Sequence, residues 1–197
     1  MRTFTRTFLA AATGVAASAV LVGGAVAGPP LVNDHFEIDD SHIEQEEHEG
    51  FCPDLPFLVL FEAQGQGSTL AVHHGDGLAY FGLHVRLSAT YTNLDTGRFL
   101  SQSLVANSND LTITDNGDGT ITITAQDRVH STWYDDAGNK LFSDSGMSRF
   151  QFIVDTAGTP GNPDDDVFVE DLGLIKQAGH FETDGRDFCA DLVEFTS

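Results

Sequence analysis

Apolar and polar residues alternate along this chain in long runs, and that alternation constrains its fold more than any other feature. From Leu78 to Thr92, one parity carries Phe81, Leu83, Val85, Leu87, Ala89 and Tyr91. The other carries Tyr80, Gly82, His84, Arg86, Ser88, Thr90 and Thr92. Successive side chains of a strand point to opposite faces, so this run is a half-buried β-strand. Phe57–Gln64, Leu111–Thr114, Thr120–Tyr134, Ser148–Asp155 and Val167–Leu174 read the same way. In Thr120–Tyr134, Ile121, Ile123, Ala125, Val129 and Trp133 share the apolar parity, and Arg128 and His130 lie on the polar one. No helical period stands out, and Asp187–Phe195 reads as a strand or a short helix.

Turn chemistry separates the runs. Asn93–Gly97, Asp115–Gly119 and Asp135–Asn139 are rich in Asn, Asp and Gly, which tolerate positive φ. They recur about every 20 residues, as hairpins between long strands do. Thr156–Asp166, with two Pro, two Gly and three Asp, reads as a long surface loop. Long antiparallel strands have to hide their edges, and closing into a barrel removes them. The sequence therefore predicts an all-β, antiparallel up-and-down barrel of about eight strands over residues 51–197, with a two-sheet β-sandwich as the alternative.

The N-terminus sets the compartment. Arg2 and Arg6 precede an apolar run from Phe8 to about Val22, and Ala25 and Ala27 supply the small-x-small pattern of a signal-peptidase site. Residues 1–27 read as a secretory signal peptide, shorter in its apolar core than the roughly 20 residues that span a bilayer. The expectation is a secreted chain, off the membrane after cleavage. Two cysteines in an exported chain most simply pair, so Cys52 and Cys189 are expected to form a disulfide.

Loss of Arg2 and Arg6 takes the formal charge from −21 to −23. A body this acidic is repelled by nucleic acid and by anionic membranes. Residues 28–50 concentrate the acidity, with His35, His42 and His48 among eight carboxylates. With little to bury, the segment is expected to be disordered, and its imidazoles and carboxylates make it at most a metal-gathering arm.

The turns Tyr91–Arg98, Asp118–Thr120 and Trp133–Asn139 resemble those of small exported proteins of high-GC Gram-positive bacteria, mostly without assigned function. That resemblance covers about residues 52–197 and implies a barrel of the lipocalin or allene-oxide-cyclase type. It carries no catalytic residue across, and the lipocalin Gly-x-Trp near the first strand is missing.

Three sets of residues are candidates for chemistry. His84 and Arg86 share one strand face and Arg128 and His130 another. Lining a cavity, they would hold an anionic or carbonyl group, and His84, Arg86 or His130 would serve a barrel isomerase, cyclase or hydrolase. Tyr80, Arg128 and Trp133 are candidates for contacting a small, partly apolar ligand. Asp155, Asp164, Asp165 and Asp166 form an oxygen-rich loop that would suit calcium in a surface or adhesion module. His73-His74-Gly75-Asp76 and Asp115-Asn116-Gly117-Asp118 fit polar hairpins better than metal loops. No Gly-x-Ser-x-Gly, His-Glu-x-x-His or phosphate-binding glycine loop occurs. The leading expectation is a non-catalytic barrel that binds a small ligand, of unspecified oligomeric state.

Overall fold

Every alternating run becomes a strand, and most are longer than their sequence signal. A computed structural model describes residues 31–197 apart from Asp76; the proposed signal segment lies outside them. The order is β1 (Val32–Ile43), α1 (Glu44–Glu47), β2 (Val59–His73), β3 (Ala79–Asn93), β4 (Phe99–Asp115), β5 (Thr120–Tyr134), β6 (Lys140–Asp155), a 3-10 turn (Pro163–Asp165), β7 (Val167–Phe181) and α2 (Phe188–Thr196). The strands form one antiparallel up-and-down sheet in the order β1-β2-β3-β4-β5-β6-β7. Hairpin turns are fixed by their aspartates: Asp115 Oδ1 accepts from Gly117 N at 2.8 Å and Asp135 Oδ1 from Ala137 N at 3.0 Å.

Two expectations are corrected. The sheet has seven strands and does not close into a barrel, and it does not split into a sandwich; among the described residues β1 and β7 are its free edges. β7 slips register three times against β6, leaving Ile175, Leu172 and Val169 without a partner residue. Such bulges bend an edge strand out of regular pairing. The second correction concerns residues 28–50. Val32–Ile43 is a full strand paired with β2 along its length. Its alternation is carried by only Phe36 and Ile38 amid carboxylates, too thin to stand out in sequence. The ring of Phe36 sits where a Cβ of Gly67 would lie, so the partner strand supplies the hole that this edge needs.

Cross-strand register divides the sheet into an apolar and a polar face. The apolar face carries two clusters, one at each end. At the first end Val59, Tyr91, Leu100, Trp133 and Phe142 are buried under α2 and residues 48–58. Phe188 of α2 stacks edge-on against Tyr91 (5.0 Å) and lies 5.6 Å from Trp133. Asp187 caps α2 by accepting from Cys189 N and Ala190 N, and Leu192 and Thr196 are fully buried beneath it. Phe188, Leu192 and Phe195 face the sheet at helical spacing, which decides Asp187–Phe195 in favour of helix. The Cys52–Cys189 disulfide ties this helix to the 48–58 segment across 137 residues. At the other end Ile113, Ile121, Ile123, Ala125 and Val154 form a smaller cluster with Tyr80, Phe150 and Phe152.

Candidate functional site

The polar face of β3–β6 brings together the charged residues that the sequence singles out. Register places Gln66, Arg86, Val105, His130 and Ser145 in one row across β2–β6. The next row is Ser68, His84, Asn107, Arg128 and Met147, and the third runs through Gly82, Asn109, Gln126, Arg149 and Lys176. His84, Arg86, Arg128 and His130 thus share a single face, which sequence parity left as two separate pairs. Strands lie about 4.8 Å apart, so Arg86 and His130, two strands apart, are separated by about 10 Å at the backbone.

This face has a composition unlike the rest of the chain. Across the central strands its side chains are Ser, Thr, Asn, Gln, His and Arg, with Val105, Met147, Ile153 and Tyr134 the main bulky exceptions. No Asp or Glu falls on it between Gly82 and Thr92, Ser101 and Asn109, Thr122 and Tyr134, or Ser143 and Ile153. Carboxylates border the band on both sides: Glu37 pairs with Gln66 and Glu62 with Thr90 on β1 and β2, Glu170 of β7 pairs with Ile153, and Glu182 accepts from Ser143 Oγ at 3.1 Å. Among the described residues, no ion pair or hydrogen bond engages the Arg86 or Arg128 side chains. Arg149 Nε donates to Gln126 Oε1 at 2.9 Å, and His84 Nδ1 donates to Asn107 Oδ1 at 2.8 Å. A shallow depression of about 420 Å³ opens here, lined by Gln64, Gln66, Arg86, Ser88 and Ser103.

Other candidates fall elsewhere. Trp133 is 3% exposed on the apolar face, packed by Tyr91, Phe142 and Phe188. It belongs to the core and does not line a ligand site with Arg128, because residues of opposite parity on one strand face opposite ways. Tyr80 stacks on His74 at 3.8 Å and accepts from Ile113 N, so it closes the smaller cluster. His74 N donates to Leu78 O at 3.1 Å and Gly77 N to His74 O at 3.0 Å, closing a hairpin, and the His73 ring bonds the carbonyl of Gly161 in the 156–166 loop.

The acidic loop assembles in part. Asp165 Oδ2 accepts from Thr159 Oγ1 at 2.6 Å, and Asp155 Oδ1 from Ala157 N at 2.9 Å. Burial, then the charges of Asp165 and Asp155, push the Asp166 carboxyl up to about 6. Asp164 stays on the exposed 3-10 turn.

Sequence reasoning missed two carboxyls on the apolar face. Asp110 pairs with Ala125 and Asp127 with Ser108. Burial pushes Asp110 up to about 6 against the backbone bond from Phe81, and burial also raises Asp127. Both lie in or opposite the Ser-Asn-Asp stretch of β4, where alternation is absent and sequence offers no signal. No protein-family model, no curated protein and no solved structure matches the chain.

Proposed function

We propose that this is an exported binding protein that holds a small, partly apolar anion on the polar face of its sheet, with Arg86 and Arg128 as its charge contacts. The observation that carries the reading is the carboxylate-free band itself. The chain has nine Lys and Arg against 30 Asp and Glu, yet Arg86, Arg128, Arg149, His84 and His130 share a face with no acidic residue on its four central strands. The net charge of the molecule opposes an anion, but only at long range. The Debye length is about 8 Å at physiological salt, and Glu37 lies two strands, or about 10 Å, from Arg86. Close to the face, the guanidiniums set the local field. Amide and hydroxyl side chains around them supply neutral hydrogen-bonding partners, and Val105 and Met147 supply apolar contact.

Export is part of the proposal. The Cys52–Cys189 disulfide is compatible with an oxidising compartment, and the basic-apolar-small pattern of residues 1–27 supports it. An intact mass beginning at Gly28, measured on protein recovered from culture medium, is the expected result.

Binding is tested with anilinonaphthalene sulfonate, an apolar anion whose fluorescence reports its site. Arg86→Ala and Arg128→Ala are each expected to weaken binding about tenfold, the effect of losing roughly 1.4 kcal/mol of charge-assisted contact. Added salt is expected to weaken binding to the wild type more than to either variant. Unchanged affinity in both variants, with loss on Phe168→Ser in the exposed β7 edge, would move the site away from this face and overturn the reading.

A further inference from the structure

On the opposite face, at the junction of β1 and α1, three residues converge with the chemistry of a metal site. We propose that His42, Glu44 and His48 bind one divalent transition-metal ion, Zn²⁺ by preference, and that the ion fastens the edge strand β1 to the core. The single turn of α1 carries His48 back over Glu44, and the candidate ligand atoms all lie within 4.8 Å of one another.

The details favour a metal over an ordinary ion pair. His42 Nδ1 donates to Asp40 Oδ1 at 3.1 Å, which fixes the tautomer and leaves the Nε2 lone pair free. That Nε2 is buried without a hydrogen-bond partner and faces Glu44 Oε2 at 3.9 Å. With the ring in this neutral tautomer, two acceptors face each other, an arrangement that a cation resolves. The Asp40–His42 pair is also the carboxylate–histidine support that metal-bound imidazoles use. Glu44 is 6% exposed, and a buried carboxylate needs a compensating positive charge. His48 Nδ1 lies 2.8 Å from Glu44 Oε2, and its half-exposed side chain has room to adjust. In a tetrahedral zinc site with bonds of about 2.0 Å, ligand atoms stand about 3.3 Å apart, between the two separations seen here. Two imidazoles and one carboxylate suit zinc or another late first-row ion; calcium and magnesium call for an all-oxygen set. A water molecule would complete the fourth position.

The experiment titrates chelator-treated protein with zinc chloride by calorimetry and follows its thermal unfolding. One equivalent is expected to bind with low-micromolar or tighter affinity and to raise the melting temperature. His42→Ala and His48→Ala are expected to abolish tight binding, and Asp40→Ala to weaken it ten- to a hundredfold. His84→Ala and His130→Ala, on the other face, leave it unchanged. His48 is half-exposed, so His48→Ala keeps the test open if His42→Ala fails to fold. Weak uptake at several equivalents, or zinc affinity in His48→Ala equal to that of the wild type, would overturn the proposal.

Discussion

The two ends of the sheet are built on different principles. At the first end, strand termini of β2–β6 converge beneath α2 and residues 48–58, and a disulfide locks the cover in place. Asn93 Nδ2 and Thr96 Oγ1 both donate to the carbonyl of Thr196, holding the last turn of α2 against the β3–β4 hairpin. Arg186 pairs with Asp191 and lies 4.5 Å over the Phe142 ring. At the other end a smaller cluster has no helical cover among the described residues. Its loops are held by aspartate-bonded turns and by the 156–166 segment, where like charges crowd. Coverage by a helix makes one end a core in the usual sense. The other is a half-core whose stability depends on strand pairing and on the protonation of its carboxyls.

This contrast is testable from its largest expected effect downward. Replacing Cys52 and Cys189 by Ser removes a 137-residue constraint and is expected to cost about 5 kcal/mol in the chain-entropy model, read as a shifted denaturant midpoint. A loss near zero would show that aromatic packing alone holds the cover. Trp133→Ala, at the covered end, is expected to cost about 4 kcal/mol, and Ile123→Ala, at the open end, about 3 kcal/mol. Circular dichroism melts measure both, and equal costs would erase the contrast. Gly67→Ala pushes a methyl group into the Phe36 ring and is expected to cost about 1–2 kcal/mol. Hydrogen exchange along β1 is expected to quicken while β5 stays protected.

The smallest effect belongs to the acidic loop. The Asp166 carboxyl sits up at about 6 in the folded chain, above its ordinary 3.8. The folded state therefore holds this proton more tightly than the unfolded state. The stabilising contribution is complete below about pH 4 and is lost as pH rises through 6. Asp166→Asn is expected to remove this pH dependence and to stabilise by about 0.5 kcal/mol at pH 7, a figure discounted for solvent screening at a partly buried site. Protection of the Val154 and Ile121 amides, followed against pH, checks it.

Much of this architecture was legible because alternation is a local property. The Thr120–Tyr134 strand was readable to its last residue, and the same parity that marks Ile121, Ile123 and Trp133 as core marks Arg128 and His130 as polar. β4 was legible only near its C-terminal end, because Gln102 to Asp110 alternates poorly and takes its strand state from two well-defined neighbours. β1 was illegible because its apolar residues are two among many carboxylates, and Phe36 finds its place only opposite a glycine on another strand. The candidate face was half legible. Parity placed His84 beside Arg86 and Arg128 beside His130, but joining the pairs needs the register through Val105 and Asn107.

The sequence by itself determined the class of fold, the order of its hairpins and the pairing of its two cysteines, since strand period, turn residues and an even cysteine count act over short stretches or by elimination. Tertiary structure decided what those rules cannot reach. It left the sheet open at seven strands, because closure depends on whether two remote edges match, and here one is acidic and the other repeatedly bulged. It also drew His42, Glu44 and His48 together through one helical turn that only packing against the start of β2 makes stable, with Gln45 bonded to Phe57 and Val59.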